Sequence, residues 1–394
     1  MYFPQFVDVA KYRRMLAAPH TRTARIELYS GGELVTSAAP FIDGSVKDEW
    51  IQTGIRRSVS VSVAPTAEWF SWLRLDTLEC RPFRGVRLSS SETIEFPLGR
   101  FRILTPELVA RPAASVSLAG DDYWSWVVSA DFTGIAASTS GGVVNTIRQL
   151  IEAAGIGPVT VASSSTATAQ SVLFEGTRQD AIVNAAKSIG VEAYVDRFGA
   201  ATISDARILE FPEAYLVTRV GGTAVGMAVK PDWTSVYNSV SVVSSATDVT
   251  FPAQVASITW PQHPAARAKI GQRVMHYSSP LLRTSEQAME AAVSILRRVS
   301  APSTLYSYTC VPDASIDAGD SVFGSTLDGL ILPFQVQSVT HPLNAESAAQ
   351  VTMLSTQLDP GEWQPVYSLQ GIRAAIYPDT GVYPDRGALS VMGS

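Results

Sequence analysis

The sequence predicts a mainly β protein in which a small α/β module separates two β regions. Three observations lead to this prediction. Short segments of alternating apolar and polar residues fill about 1–115, two amphipathic helices and a hairpin follow over 116–205, and alternating segments return over 206–360. Short strands of this kind are typical of barrels and sandwiches. The last stretch, 361–394, has little apolar pattern of its own and is predicted to be a C-terminal extension.

Composition favours a component of an assembly over a neutral globular enzyme, although both stay open. The chain has 394 residues, which predicts two to four domains, and it is 46% hydrophobic but only 17% charged. Its net charge of −6 and the lack of a Lys/Arg run argue against a sequence-specific nucleic-acid binder. A mildly acidic surface suits a channel through which DNA slides without sticking.

The two cysteines indicate neither a metal site nor secretion. Cys80 and Cys310 lie 230 positions apart and neither has a metal-ligand spacing. The start of the chain lacks a secretory signal, so two reduced, buried thiols are favoured over one disulfide. No stretch reaches 18 apolar residues, and we therefore expect a chain that is soluble and does not insert into a membrane.

In the first β region, residues 23–29 alternate and are followed by Ser30-Gly31-Gly32-Glu33, a pattern that predicts a hairpin turn. Residues 58–63 alternate strictly and give the clearest strand signal. Two further short strands are expected at 86–88 and 101–104.

The middle region has the periodicity of two helices. Apolar residues recur at helical spacing from Val144 to Ala154, before Gly155, and again over 177–189, before Gly190. The stretch 161–171 between them is rich in Ser, Thr and Ala and is expected to be a loop or a weak edge strand. A hairpin follows over 191–203.

The second β region is interrupted by one helix. Thr284 and Gln287 form a possible capping box at its start. Its predicted inner face consists of Ala288, Ala291, Ala292, Ile295, Leu296 and Val299. Strands are predicted at 237–243, 254–260, 306–311, 321–323, 334–339 and 349–354.

One block is similar to the nucleophile motif of the GDS-type lipases and esterases. Gly319-Asp320-Ser321-Val322 has the right residues, but such enzymes need an activating His with an Asp three positions before it. The only later histidine, His341, has no such Asp. We therefore favour a turn that leads into a strand.

No other constellation points to catalysis. Asp121 and Asp122 could in principle cut glycosides, but a solvated turn after Gly120 is favoured. None of the four histidines has a metal-like spacing; they are His20, His263, His276 and His341. We therefore predict no catalytic, cofactor-binding or metal-binding residues, no cofactor, and a protein that is not an enzyme.

Four segments, in this order, resemble the tail-hub proteins of phages. The first contains Phe83-Arg84-Gly85-Val86 and continues into Phe96-Pro97-Leu98-Gly99-Arg100-Phe101. The other three lie at 178–196, 237–242 and 286–322, and in the last of them a Gly-Asp turn opens a strand. Together the segments span about 20–358, while 361–394 matches nothing in that family.

The resemblance implies two tail-tube-like β-barrel domains, 1–115 and 206–360, separated by the module at 116–205. It implies a homotrimer whose six barrels form a ring, joining a sixfold tail tube to a threefold tail tip and gating the DNA channel. The implied partners are the tail tube, distal tail, tape-measure and tail fibre or tip proteins, and DNA passes without specific binding. The implied location is the tail tip of the virion, after assembly in the cytoplasm of the host bacterium.

Two alternatives stay open. A receptor- or carbohydrate-binding protein could use tryptophans such as Trp69, Trp72, Trp124 and Trp126, although a place in the core or an interface is favoured for them. A tail-associated wall hydrolase would need a catalytic pair that the sequence does not offer. In the extension, the near-repeats 377–381 and 383–387 are expected either to dock on a neighbouring subunit or to extend freely, and their tyrosines favour docking.

Overall fold

A computed structural model describes most of the chain. The residues described are 12, 15–16, 20–64, 78–87, 93–109, 114–133, 136–137, 141–165, 168–169, 173–174, 176–205, 214–216, 223–245, 251–259, 261, 263, 265–279, 284–300, 303–325, 331–344 and 347–356.

The first β region begins with the predicted hairpin and continues with seven more strands. Gly31 and Gly32 have φ of +57° and +89°, and this is the conformation that a tight hairpin turn requires. Residues 58–63 alternate as predicted, with the valines buried in the core and the serines on the opposite face. The strands are β1 (Thr21–Ser30), β2 (Glu33–Thr36), β3 (Phe41–Glu49), β4 (Arg57–Val63), β5 (Leu78–Arg87), β6 (Thr93–Pro97), β7 (Phe101–Ile103), β8 (Glu107–Val109) and β9 (Ser115–Asp122).

The α/β module packs helices on a small sheet. Its helices are α1 (Trp124–Ser129), α2 (Val143–Glu152) and α3 (Arg178–Ile189). Its strands are β10 (Ala136–Ala137), β11 (Gly141–Gly142), β12 (Val159–Val161), β13 (Thr168–Ala169), β14 (Leu173–Phe174), β15 (Val191–Val195) and β16 (Ala201–Asp205). Thr177 caps α3 by accepting a hydrogen bond from the Asp180 N–H, and Gly190 ends it with φ of +67°. The predicted hairpin is confirmed as β15 and β16, and β12 adds a parallel edge to it.

The second β region contains nine strands and two helices. They are β17 (Ala214–Leu216), β18 (Ala224–Asp232), β19 (Ser239–Ser244), β20 (Gln254–Ser257), α4 (Arg267–Ile270), β21 (Val274–Ser279), α5 (Ser285–Val299), β22 (Ser303–Cys310), β23 (Ser321–Ser325), β24 (Ile331–Pro342) and β25 (Ala349–Thr356). The predicted inner face of α5 is confirmed, because Ala288 and Ala292 are fully buried against the β19 residues Val240 and Val242. The side chain of Gln287, in the predicted capping box, lies outside the described residues.

One 15-stranded sheet runs through both β regions. Its main path is β18-β22-β25-β24-β3-β4-β9-β7-β5-β1-β2. The two regions meet where β24 pairs antiparallel with β3, from Ser338 opposite Glu49 to Pro342 opposite Ser45. The prediction of a mainly β fold with an inserted α/β module is therefore confirmed, and the two β regions share backbone hydrogen bonds.

The chain divides into two compact units. One consists of Met1–Ala228 with Ser307–Met353, and the other of Val229–Tyr306 with Leu354–Ser394. The second unit contains the three-stranded sheet β20-β19-β21, with α5 on one face. The described helices include none that is both long enough and apolar enough to cross a membrane. The boundaries predicted at 115, 205 and 360 stay predictions.

The turn predicted at Asp121 and Asp122 is wrong. Both residues belong to β9, and Gly120 lies within the strand, not at its end. The physical reason is a close approach of two backbones, because a Cβ at Gly120 would lie 2.2 Å from the carbonyl oxygen of Arg102 on β7. Glycine here marks strand packing and not a turn.

Candidate functional site: a buried ionic joint

The first compact unit has a cluster of charged side chains in its interior. We call this cluster the ionic joint; its members are Asp48, Arg56, Arg57, Asp122, Glu192, Arg197 and Asp317. They come from β3, the start of β4, the end of β9, the β15–β16 hairpin and the loop before β23. The joint therefore brings together the first β region, the module and the second β region.

Arg56 fixes the module to the first β region. Its guanidinium lies 2.6 Å from the Glu192 carboxylate, and both side chains are at most 2% exposed. The same guanidinium stacks on the Tyr194 ring at 3.6 Å, and its Nε donates to the carbonyl of Ile51. The indole of Trp50 donates to the other carboxylate oxygen of Glu192 at 3.2 Å. A charged residue inside the apolar strand β15 thus has its partners in a different segment.

Arg57 connects all three segments. Its Nη2 lies 3.0 Å from both the Asp48 and the Asp317 carboxylates. Its Nη1 donates to the carbonyl of Val195 in the module at 3.1 Å. Arg197 approaches Asp317 from the module side, with its Nη2 2.5 Å from one oxygen and its Nε 3.1 Å from the other. This two-pronged contact holds the loop before β23 in a fixed geometry.

The two buried aspartates of the sheet accept backbone hydrogen bonds. Asp122 accepts the N–H groups of Arg56, Arg57 and Trp124 at 2.9–3.0 Å. Asp48 accepts the N–H of Ala318 at 2.9 Å, across the boundary between the two β regions. Each carboxylate therefore fixes the position of a backbone segment as well as a charge.

Burial and charge act in opposite directions on these carboxyl groups. Burial raises the pKa of Asp48 to about 6, against the attraction of Arg57. Burial also raises the pKa of Asp122 to about 6, in spite of its three N–H donors. Burial would likewise raise the pKa of Asp317, but Arg197 and Arg57 hold it well below its usual range. Every charge of the joint has a partner of opposite charge or a backbone partner, an arrangement suited to rigid support.

The GDS-like block is a turn that opens a strand, as the favoured interpretation predicted. Gly319 has φ of +89° and Ser321 begins β23. The Asp320 carboxylate accepts the N–H of Asp317 at 2.8 Å, so it stabilises the turn. His341 lies in β24 with its Nε2 donating to the Ile316 carbonyl at 3.2 Å, and burial lowers its pKa to about 3.

The remaining candidate residues are dispersed. Asp121 and Asp122 are consecutive residues of a strand, so their side chains point to opposite faces and cannot act as a pair. His20 contacts the carbonyl of Met15, His263 accepts the N–H of Ala265, and His276 is exposed on β21. Among the described residues no group of His, Cys, Asp and Glu has the arrangement of a metal site.

The two cysteines and Trp124 are core residues. Cys80 and Cys310 are both free and buried, as favoured, and burial raises the pKa of each thiol to about 12. Trp124 is fully buried on α1 and donates to Gln179, so it belongs to the core. Trp126 packs edge-to-face on Tyr123 with ring centroids 5.1 Å apart. Trp69 and Trp72 lie outside the described residues.

Asp122 was the one member of the joint considered from the sequence, as half of a carboxylate pair, and the other members were not singled out as site residues. The available signal was a charged residue, Glu192, inside the otherwise apolar run Val191–Val195. A carboxylate at such a position needs a buried cation, because a buried charge without a partner is very costly. The partner itself, Arg56, lies 136 positions earlier and cannot be identified from the pattern.

No protein-family model matches this sequence, and no curated protein matches it. Solved structures do match. The tail protein from Neisseria meningitidis MC58 is 11% identical, with a TM-score of 0.64 over 85% of this chain and 98% of that one. The 43 kDa tail protein of prophage MuSo2 from Shewanella oneidensis is 15% identical, with a TM-score of 0.61 over 84% and 98%.

A third match has the same character. Prophage tail protein gp18 from Listeria monocytogenes EGD-e is 13% identical, with a TM-score of 0.52 over 84% of this chain and 94% of that one. All three matches cover nearly the full length of the other protein at low identity, which supports a shared fold without close kinship. This chain therefore has the fold of these tail proteins.

Proposed function

We propose that this protein is the structural hub of a phage tail, in which three copies form a ring that joins the sixfold tail tube to the threefold tip and gates the DNA channel. The observation that carries the proposal is the pairing of β24 with β3, which unites both β regions in one sheet. Because each copy brings two β regions joined by this strand pairing, three copies supply six β regions to a sixfold tube.

The ends of the sheet support a head-to-tail ring. Within the described part of the chain, β2 and β18 are the last strands at the two ends of the main path. Each has an exposed apolar residue, Leu34 at 52% and Val225 at 70% exposure. Unpaired strand edges favour association with another chain, and two different edges on one copy allow a closed cyclic assembly.

The charges of the first β region suit a channel wall or an interface that does not hold DNA. Arg25 on β1 lies 2.7 Å from Glu95, and Arg100 lies 2.7 Å from Glu79. Arg81 also pairs with Glu79. Arginines neutralised in this way offer little attraction to phosphates, and the whole chain has a net charge of −6. DNA would therefore pass without specific binding.

The proposed work is mechanical and not enzymatic. The fold is that of tail proteins, and the ionic joint has the fully paired, internal character of a support. The proposed partners are the tail tube, distal tail, tape-measure and tail fibre or tip proteins, in the tail tip of a virion assembled in the host cytoplasm. A binding role for the tip or a wall hydrolase is not favoured by any described feature.

The oligomeric state tests this proposal. Light scattering over a range of concentrations is expected to give a species of about three times the 42.2 kDa chain mass. If the free protein is a monomer, mixing it with the tail tube protein is expected to produce threefold rings on electron microscopy grids. A chain that stays monomeric under both conditions would contradict the proposal.

A further inference from the structure

The three-stranded sheet of the second unit has one face that is covered and one that is open. Val240 and Val242 of β19 point towards α5 and are fully buried. Since successive strand residues point to opposite faces, the neighbours of these valines lie on the other side. This open face consists of Ser241, Val243, Val255, Ser257, Val274 and His276.

The open face has the composition of a contact surface. None of its six residues is formally charged at neutral pH, and Val255 and Val243 are 51% and 38% exposed. A sheet face that meets water usually has charged or long polar side chains. Short serines and valines instead form a flat surface that another chain segment can approach closely.

The chain itself contains a segment that fits this face. After β25 ends at Thr356, 38 residues follow, and only six of them are charged. In the stretch 363–370, Trp363, Pro365, Tyr367 and Leu369 lie at odd positions. The even positions are polar except for Val366; they are Gln364, Val366, Ser368 and Gln370. This period of two predicts an extended segment with one apolar face.

We propose that the C-terminal segment 357–394 covers the open face of the β20-β19-β21 sheet, with the apolar side of 363–370 against Val243 and Val255. Six residues separate Thr356 from Trp363. This tether spans at most about 24 Å when extended, and so short a linker gives an effective concentration in the millimolar range. A second copy, present at micromolar concentration, competes poorly with such a tether. This inference is independent of the hub function, because it concerns one chain.

Photo-crosslinking of the full chain tests the proposal. A benzophenone amino acid replaces Val255, and in a control protein it replaces Val293, which is 38% exposed on the outer side of α5. The expected result is a crosslink from position 255 to residues 363–370 of the same chain. Position 293 is expected to give no crosslink to those residues. Crosslinks to another copy, to other residues, or to none would overturn the proposal.

Thiol labelling gives a second measurement, in which a cysteine replaces the valine and disturbs the packing less than a benzophenone side chain does. The native cysteines are buried, so they do not react in the folded protein. We expect Val255→Cys to be alkylated roughly 10-fold more slowly than Val293→Cys, as a covered site requires. Adding Leu369→Asp should bring the rate at position 255 up to that at 293. Equal rates without Leu369→Asp, or slow labelling that persists with it, would each contradict the proposal.

Discussion

The buried ion pair between Arg56 and Glu192 avoids destabilising the fold only while both partners are present. Both groups are almost completely buried, so attraction between them offsets a large loss of hydration. If one partner is removed, the other becomes an uncompensated charge in the interior. The net contribution of the intact pair is small, whereas the penalty for breaking it is large.

We predict that Arg56→Met lowers the free energy of unfolding by about 3–5 kcal/mol in urea denaturation. The double variant with Glu192→Gln should be less destabilised than Arg56→Met alone, since the amide removes the buried charge and can still accept from Trp50. The exposed pair Lys47–Glu49 is the matched control, and Lys47→Met should change stability by at most about 0.5 kcal/mol. Equal effects at positions 47 and 56 would refute this view of the joint.

The pKa of Asp48 has a consequence for stability against pH. Its folded pKa of about 6 exceeds the value of about 3.9 for an unfolded chain, so the folded state binds the extra proton between these values. The contribution of Asp48 to stability is therefore present below about pH 4 and is lost as pH rises to about 6. Its carboxyl oxygen Oδ1 is buried without a hydrogen-bond partner among the described residues and can hold this proton.

The free energy of unfolding is expected to fall between about pH 4 and pH 6. We predict that Asp48→Asn makes this fall smaller by on the order of 1–3 kcal/mol. Urea unfolding at several pH values measures this directly. Glu79 provides a contrast of opposite sign, because hydrogen bonds from Arg100, Arg81 and Tyr123 overcome its burial and lower its pKa to about 2. The stability from Glu79 should disappear only below about pH 4, and Glu79→Gln should leave the slope above that pH unchanged.

At the scale of elements, the close contact of β9 with β7 depends on Gly120. We predict that Gly120→Ala destabilises the protein by about 2 kcal/mol or more, because its Cβ would meet the Arg102 carbonyl at 2.2 Å. Thermal unfolding measures the effect. The control is Gly226→Ala in β18 of the same sheet, where the nearest atom to the added Cβ is 3.6 Å away. A loss of stability at position 226 as large as at position 120 would contradict the explanation.

The sequence could predict those elements whose burial follows a simple period. Residues 58–63 and the helix α3 each have one buried face, and each was predicted within a few residues. The hairpin 191–203 was predicted from its turn at 196–199, although β15 is buried on both faces. Strand β3 was not predicted, because its sequence FIDGSVKDE contains Asp43, Gly44 and Asp48 and lacks alternation. Its polar residues serve local backbone contacts and the ionic joint, and tertiary partners of this kind leave no local pattern.

At the scale of the whole molecule, assembly depends on the two ends of the large sheet. We predict that Leu34→Lys on β2 and Val225→Lys on β18 each shift the light-scattering mass from trimer to monomer, since a charge on a strand edge blocks pairing with another strand. Val161→Lys serves as the control, because Val161 is similarly exposed, at 45%, but belongs to the small sheet of the module. Loss of the trimer in all three variants would place the interface elsewhere.

Pairing of β24 with β3 also sets the order in which the chain can fold as it is made. Ser338 is synthesised roughly 290 residues after its partner Glu49, a delay of about 15–60 s at ordinary rates of translation. Until then the outer edge of β3 has no strand beside it, although the rest of the first region is already complete. The nascent chain therefore carries an open edge on β3 until β24 has been made, and the large sheet closes only then.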